Sequence, residues 1–283
     1  MGRLEAYLRI MRPVNCLMMG FAVIVGAALA SSSSSSFLSV NLVYGFATGF
    51  ALTAGSMVAN DYYDRNLDAI NEPNRPIPSG MIKPKAALAF AFLLAAIGFG
   101  TAFLTSIFSF VVAVISWLIF TAYTIIGKRT GLPGNLLVSS CVAIPFIYGS
   151  AVVTNAIQLN VLFFVAMVFL SNTGREITKG IVDVQGDKAQ NVNTLAVRFG
   201  ARAASVAAAV FYVSATLLSP IPVLLKLVTF WFIPFAAVTD VGLLGSSIAL
   251  LKDHSRESAR MIKRLVLLWF LIGLIAFLVG APR

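Results

Sequence analysis

The chain has 283 residues, of which 59% are hydrophobic and only 11% are charged. Soluble domains carry about 25% charged residues, so this composition excludes a protein whose whole surface faces water. Because a membrane-spanning helix takes roughly 20 residues, the length accommodates about nine spans with short loops. We therefore predict a single all-α, polytopic membrane domain over residues 1–283.

Apolar runs with the length of membrane spans recur along the chain. They predict helices at residues 14–30, 38–59, 86–105, 108–127, 133–153, 159–178, 200–218, 223–251 and 260–280. The polar, low-complexity run Ser31–Ser36 separates the first two spans and predicts an outer loop without a functional role.

The distribution of Lys and Arg predicts how these helices are oriented. With the N-terminus in the cytoplasm, 19 of the 21 Lys and Arg residues fall in cytoplasmic segments, and only Lys226 and Arg283 lie outside. This asymmetry follows the positive-inside rule. Together with anionic lipid headgroups it accounts for the net charge of +10 without any binding of nucleic acid. We predict a multi-pass protein of the cell membrane whose N-terminus and active site face the cytoplasm.

The acidic residues favour the same side of the membrane. Ten of the eleven Asp and Glu residues fall in cytoplasmic segments, and the exception, Asp240, lies well inside the eighth span. A carboxylate within the membrane faces a cavity or a polar partner. Both interpretations of Asp240, a cavity-lining group or a structural hydrogen bond, stay open.

Few nitrogen or sulfur ligands for a metal are present. Cys16 and Cys141 lie in or beside apolar runs without motif spacing, and the one histidine, His254, lies in a charged run. These residues predict neither a disulfide framework nor a zinc site. A bound metal would therefore rest on oxygen ligands, which favours Mg²⁺ or a similar hard cation.

The first acidic cluster lies at the cytoplasmic end of the second span. Asn60, Asp64 and Asp68 are spaced four residues apart and would share one face of a continued helix. Carboxylates at this spacing repel one another, and acids are unfavourable at a helix C-terminus. A bound cation therefore explains the cluster better than a solvated acidic helix end. We predict metal ligands at Asp64 and Asp68, with Asn60 and Asp61 as further candidates and Asn60 also as a substrate contact.

The second acidic cluster repeats the first at the end of the sixth span. Asp183 and Asp187 are again four residues apart, and each lies 119 residues after its counterpart, Asp64 or Asp68. Four helices with their loops fill that interval, which predicts two four-helix repeats plus a ninth helix, a type of repeat common in membrane proteins. Two facing pairs would hold Mg²⁺ bridged by a diphosphate, since Mg²⁺ combines a few carboxylates with phosphate oxygens.

Basic and polar residues near the clusters suit an anionic substrate. Arg75 lies in a proline-rich loop after the first cluster, Arg175 and Lys179 precede the second, and Tyr123 and Lys128 end the fourth span. The planar fork of an arginine matches phosphate oxygens, so we predict that this group binds substrate. The alternatives are topological charges and, for Tyr123 and Lys128, an interfacial ring and a snorkelling amine.

Three motifs of this chain resemble those of the UbiA superfamily of intramembrane prenyltransferases. They are Asn60-Asp61-x-x-Asp64-x-x-x-Asp68, the loop from Asn71 to Arg75-Pro76, and Asp183-x-x-x-Asp187. The resemblance covers nearly the whole chain. It implies helices ringed around a central cavity for the prenyl tail, with the paired aspartates as catalytic residues that bind Mg²⁺ and the substrate's diphosphate.

Within that family, the segment from Arg175 to Asp187, followed by Asn193-Thr194-Leu195-Ala196, is most similar to the archaeal digeranylgeranylglyceryl phosphate synthases. Aromatic-acceptor relatives carry Arg-Asp and a tyrosine where this chain has Arg175-Glu176 and Lys179. The extra cation suits an acceptor that bears a phosphate. The resemblance implies Mg²⁺-dependent transfer of a geranylgeranyl group from geranylgeranyl diphosphate to the free hydroxyl of geranylgeranylglyceryl phosphate, with no obligate protein partner.

One motif of the family has a different spacing in this chain. The family has Tyr-x-x-x-Lys at the end of the fourth helix, whereas here Gly127 is the fourth residue after Tyr123 and Lys128 follows it. The spacing therefore leaves two interpretations of Lys128, a diphosphate ligand or a snorkelling side chain.

Three other functions remain to be weighed. A prenyltransferase for an aromatic acceptor, in quinone or haem biosynthesis, would have the same fold. A membrane transporter would carry ionisable residues near the midplane of the bilayer, where only Asp240 lies. A CDP-alcohol phosphotransferase would carry an Asp-Gly-x-x-Ala-Arg signature, which the sequence lacks. Prenyl chain length, oligomeric state and the group that takes the acceptor proton are not defined by the sequence.

Overall fold

The computed structural model describes residues 2–31, 39–189 and 191–282. The outer loop predicted at Ser31–Ser36 lies outside these residues except for Ser31, and Arg283 lies outside them as well.

Helices joined by short loops make up the described chain. Their bounds are α1 Arg3–Met11, α2 Pro13–Ala30, α3 Val40–Tyr63, α4 Arg65–Asn71, α5 Pro84–Thr105, α6 Ile107–Ile125, α7 Leu132–Thr154, α8 Leu159–Val182, α9 Val184–Ala189, α10 Leu195–Leu218, α11 Pro220–Leu224, α12 Phe232–Lys252 and α13 Arg256–Gly280. A 3₁₀ turn, Gly127–Arg129, lies between α6 and α7.

Nine helical segments within the described residues are long and apolar enough to cross a membrane. They are α2, α3, α5, α6, α7, α8, α10 continued by α11, α12 and α13. A helix satisfies its backbone hydrogen bonds internally, which is what a segment in lipid requires. The predicted all-α, polytopic membrane fold is confirmed.

The predicted start of the eighth span is wrong by nine residues. Residue 223 lies in α11, and α12 begins only at Phe232. Between them Lys226 adopts a left-handed backbone conformation with φ of 55°, and the Thr229 N–H donates to the Gly280 carbonyl at 2.9 Å. The residues of this turn are almost as apolar as those of a span, so hydropathy alone does not show that the eighth span begins after them.

Two spans extend four residues further than predicted, and both carry an acidic cluster. α3 ends at Tyr63 and α8 at Val182, so each helix reaches its first aspartate. α10 begins at Leu195 instead of residue 200. Gly200 within it has φ of 85° and ψ of 166°, so the predicted start coincides with a kink.

Helix packing follows the same order in two halves of the chain. In the first half α2 packs on α3, α3 on α5 and α5 on α6; in the second α7 packs on α8, α8 on α10 and α10 on α12. The last helix, α13, packs on α12 and α8 and also contacts α2, which itself packs on α7. The two predicted four-helix repeats and the additional ninth span therefore close into a ring.

Aromatic side chains fill the interior at the end of the ring opposite the aspartates. Phe164 and Phe277 pack edge to face with centroids 4.9 Å apart, and Phe146 and Phe232 both contact the Phe277 ring. All four side chains are buried. They come from α7, α8, α12 and α13, so they close that end of the ring.

The two halves meet through glycines where α2 crosses α7. A Cβ added to Gly149 would overlap the backbone of Val23 and Gly26, and one added to Gly26 would overlap the backbone of Phe146. Small residues at helix crossings let backbones approach closely within a membrane.

Gly149→Ala is expected to destabilise the protein, because backbone atoms cannot move aside as a flexible side chain would. Overpacking of this kind costs about 1–3 kcal/mol. The matched control is Gly100→Ala on exposed α5, where no atom lies within 4 Å of an added Cβ. Unfolding measured in detergent should show lower stability for the first variant only. Equal stability of the two variants would contradict close packing at this crossing.

Candidate active site at one end of the helix ring

The first acidic cluster lies where α3 ends and α4 begins. Asp64 occupies the break, with φ of −83° and ψ of −2°. Its N–H donates to the Asn60 carbonyl at 2.9 Å, and the Asp68 N–H donates to the Asp64 carbonyl at 2.8 Å. The backbone therefore continues in helical register. Asn60 Nδ2 also donates to Asp64 Oδ2 at 2.9 Å, so these two side chains share one face.

Two arginines neutralise the buried carboxylates of this cluster. Asp61 and Asp68 are only 4% and 6% exposed. Arg12 Nη2 lies 2.6 Å from Asp61 Oδ1, and Arg75 Nη1 lies 2.7 Å from Asp68 Oδ2 and 3.6 Å from Asp61 Oδ1. Arg12 reaches this position because Pro13 disfavours helical geometry in the residue before it. Helix α1 accordingly stops at Met11, and Arg12 takes a φ of 54°.

Lys128 neutralises the third carboxylate from the other side of the site. Its Nζ lies 2.6 Å from Asp64 Oδ2. Helix α6 ends at Ile125, and the 3₁₀ turn Gly127–Arg129 directs Lys128 towards α3. The extra residue relative to Tyr-x-x-x-Lys is thus absorbed by the turn, and Lys128 contacts the first cluster.

The second acidic cluster has the same backbone form as the first. Asp183 occupies the break between α8 and α9, with φ of −101° and ψ of 10°, and the Asp187 N–H donates to its carbonyl at 2.9 Å. Burial, followed by the charge of Asp183, raises the pKa of the Asp187 carboxyl above its usual range. The opposing effects of a hydrogen bond from Thr194 and the charge of Lys179 are smaller. Closely spaced carboxylates of this kind gain from a nearby cation.

A cluster of alternating charges lies two turns before Asp183 on α8. Arg175 Nη1 lies 3.1 Å from Glu176 Oε1, and Lys179 Nζ lies 3.3 Å from Glu176 Oε2. The Glu176 side chain is only 12% exposed. Arg175 Nε is buried and has no hydrogen-bond partner among the described residues.

The segment between α6 and α7 connects the two acidic clusters. Its Lys128 pairs with Asp64, while the Arg129 carbonyl accepts a hydrogen bond from the Asn193 N–H at 3.3 Å, just after the second cluster. Tyr123, half-buried near the end of α6, lies within electrostatic range of both Asp64 and Lys179. Both clusters and all the predicted substrate-binding residues are therefore at one end of the ring.

Comparisons with known proteins agree with this geometry. Residues 19–279 match the UbiA prenyltransferase family. The chain belongs to that family. It is 33% identical to the digeranylgeranylglyceryl phosphate synthase of Archaeoglobus fulgidus, over 99% of this chain and 98% of the relative. The Methanopyrus kandleri enzyme of the same name is 35% identical over 97% of this chain and 98% of the relative.

Solved structures of the UbiA family have the same fold. A structure from work on digeranylgeranylglyceryl phosphate synthase in membranes matches with a TM-score of 0.85 and 30% identity, covering 100% of this chain and 99% of that one. A UbiA homologue from Archaeoglobus fulgidus bound to GPP and Mg²⁺ matches with a TM-score of 0.69 and 17% identity, covering 96% and 99%. This chain is accordingly a multi-pass membrane prenyltransferase.

The donor atoms of this UbiA site fit a Mg²⁺ that arrives with its substrate. Among residues 2–31, 39–189 and 191–282, no three His, Cys, Asp or Glu residues are close enough to enclose a metal. Each carboxylate of the first cluster is instead paired with a cation. Mg²⁺ needs only one or two carboxylates when phosphate oxygens and water complete its octahedral coordination. The carboxylates of the two aspartate pairs are oxygen ligands of the type that Mg²⁺ prefers.

Sequence reasoning missed two residues of the site. In the sequence Arg12 is one of many cytoplasmic charges, and only its position directly before Pro13 at a helix junction distinguishes it. Glu176 differs from the family motif, and it also shares a helix face with Lys179 three residues later. Both residues contact predicted site residues.

Asp240 lies outside this site. It is half-buried within the α12 span, near Ser219 at the end of α10. The end of α10 is opposite the aspartates, so the geometry does not favour a role for Asp240 beside the diphosphate.

Lys128→Met is expected to slow prenyl transfer about 10- to 100-fold. A hydrogen bond to a charged group is worth roughly 1.5–3 kcal/mol, and the variant removes the one that Lys128 makes at Asp64. Arg129→Met, which alters the exposed neighbour in the same turn, is the control and should keep its activity. Turnover under saturating Mg²⁺ is the measurement, and equal turnover of both variants would contradict a role for Lys128 at the site.

Proposed function

We propose that the protein catalyses Mg²⁺-dependent transfer of a geranylgeranyl group from geranylgeranyl diphosphate to the free hydroxyl of geranylgeranylglyceryl phosphate. The product carries the second ether bond of an archaeal membrane lipid. The observation that carries this proposal is the pair of equivalent aspartate clusters, at the breaks after α3 and α8, with Arg175 and Lys179 on α8 before the second cluster. Relatives with this activity in their name align over nearly the whole chain.

The first half of the proposed site binds the diphosphate. Asp64 and Asp68 would hold Mg²⁺ together with Asp183 and Asp187, and when bound the metal would supply Lewis-acid stabilisation of the leaving diphosphate. Arg75 and Lys128, which neutralise the carboxylates in the structure, turn towards the phosphate oxygens.

Two supporting contacts orient this half of the site. Asn60 orients Asp64 through its amide hydrogen bond, and Arg12 fixes Asp61. Tyr123, near the end of α6, is the further substrate contact in this proposal.

The apolar interior receives the prenyl chain. In this proposal the chain extends from the aspartates towards the opposite end, where Phe146, Phe164, Phe232 and Phe277 pack together. Preorganised cations lower the cost of charge on the leaving group, and lipid-like walls keep water from the allylic carbon.

The second half of the proposed site binds the acceptor. Arg175 and Lys179 hold its phosphate, and the buried, unpartnered Arg175 Nε gives that role a donor that the protein itself leaves free. The cation at Lys179 favours this acceptor over an aromatic one, for which no phosphate has to be bound.

Lipidic substrates enter from the bilayer in this proposal. The half of α2 nearest the aspartates exposes Val14, Leu17, Met18 and Phe21, whereas the other half is largely buried. α2 therefore leaves an apolar face beside the site. The protein lies in the cell membrane with its aspartate end in the cytoplasm, which the excess of Lys and Arg in the loops at that end supports.

A comparison of acceptors tests the proposal. Membranes that contain the protein are incubated with Mg²⁺ and labelled geranylgeranyl diphosphate, together with geranylgeranylglyceryl phosphate, dihydroxynaphthoate or hydroxybenzoate. We expect mass spectrometry to identify an ether product only with the glycerol phosphate acceptor. A prenylated aromatic product in its place would contradict the proposal and favour a quinone- or haem-type prenyltransferase.

A further inference from the structure

Glu176 is a largely buried carboxylate on the proposed acceptor side of the site and belongs to neither aspartate pair. Its side chain is 12% exposed, and its two oxygens contact Arg175 at 3.1 Å and Lys179 at 3.3 Å. Tyr123 from α6 lies within electrostatic range of the same carboxylate. An acidic side chain therefore lies directly between the two cations that, in the proposed function, bind the acceptor's phosphate.

Phosphate binding alone does not account for this arrangement. A phosphate monoester carries a charge of about −1.5 to −2 near neutral pH, and a carboxylate beside its binding cations weakens the attraction. Burying a carboxylate also costs free energy unless it is well paired. A site that served only to bind phosphate would bind it more tightly without the negative charge of Glu176.

Proton transfer gives the carboxylate a function. A glycerol backbone has three carbons, so the free hydroxyl is at most two carbons from the carbon that bears the phosphate. With the phosphate on Arg175 and Lys179, that hydroxyl is within the reach of Glu176. In the proposed function, Asp64 and Asp68 hold Mg²⁺ and are not free to act as a base, and Asp61 pairs with Arg12.

We propose that Glu176 is the general base that accepts the proton of the acceptor hydroxyl. This inference rests on the proposed function. The acceptor oxygen forms a bond to the allylic C1, the bond from C1 to the diphosphate oxygen breaks, and the diphosphate leaves with the electron pair. The hydroxyl proton passes to the Glu176 carboxylate, which then releases it to water.

Glu176→Gln tests this assignment, because glutamine keeps the size and one acceptor oxygen but cannot take the proton. We expect kcat for transfer to fall by about 10²- to 10⁴-fold, the usual contribution of general acid–base catalysis, while the KM for the acceptor stays the same or falls. Glu176→Asp should recover part of the rate. Glu257→Gln, which removes an exposed carboxylate at the start of α13, is the control.

Ionisation of the diphosphate gives a second measurement. With ¹⁸O in the bridging position of geranylgeranyl diphosphate, exchange into non-bridging positions should persist in Glu176→Gln while transfer is lost. Unchanged kcat, or a loss confined to the KM for the acceptor, would overturn the role of Glu176 as base. If the wild-type protein prenylates only hydroxybenzoate or dihydroxynaphthoate, the proposed function fails first, and the inference fails with it.

Discussion

Asp64→Ala and Asp183→Ala are each expected to abolish Mg²⁺-dependent prenyl transfer while leaving the protein folded. Both residues occupy the break after a membrane-spanning helix, one in each half of the chain. Metal ions contribute several kcal/mol of charge stabilisation to such a transition state, and each 1.4 kcal/mol is worth about tenfold in rate. Turnover should therefore fall at least about 10³-fold in either variant, measured with labelled geranylgeranyl diphosphate.

Two controls separate loss of the metal site from loss of structure. Glu257→Gln removes an exposed carboxylate at the start of α13 that belongs to neither aspartate pair, and it should be fully active. Thermal unfolding in detergent should show that the aspartate variants remain folded. Full activity in either aspartate variant, at any Mg²⁺ concentration, would refute the metal assignment.

Lys179→Met is expected to raise the KM for geranylgeranylglyceryl phosphate about 10- to 100-fold. The variant removes one cation from the proposed phosphate site, and a hydrogen bond to a charged group contributes roughly 1.5–3 kcal/mol. The KM for geranylgeranyl diphosphate should change little, because the proposed function assigns the diphosphate to Arg75 and Lys128 at the other cluster. Steady-state kinetics with each substrate varied in turn provide the measurement.

The control for this prediction is Lys188→Met, which removes an exposed lysine on α9 close to the second aspartate pair. A general change in surface charge would affect both lysine variants equally. An increase in KM for the diphosphate donor, with no increase for the acceptor, would contradict the division of the site into a diphosphate half and an acceptor half.

The sequence predicts the fold well because lipid imposes simple rules on it. Each span must be a continuous apolar helix, and the repeat of 119 residues between the acidic clusters indicates which helix ends are equivalent. The structure places Asp64 and Asp183 at matching helix breaks. These rules do not predict the late start of α12, because the turn before it, around Lys226, is apolar and depends on a backbone contact to Gly280.

The sequence alone does not reveal contacts between residues that lie far apart in the chain. Arg12 reaches Asp61 across 49 residues, and Lys128 reaches Asp64 across 64. Neither pairing has a helical spacing, so no periodic pattern indicates it. Lys128 shows this most clearly, since its spacing from Tyr123 departs from the family motif and only the 3₁₀ turn brings it to the aspartate.

A structure of the protein with Mn²⁺ in place of Mg²⁺ and a non-hydrolysable geranylgeranyl thiodiphosphate tests the central claim most directly. Anomalous scattering would locate the metal. We predict metal density that joins carboxylates of both aspartate pairs, one after α3 and one after α8, through a shared diphosphate. Metal and diphosphate bound by one pair alone, with the other pair out of reach of the ligand, would contradict the account.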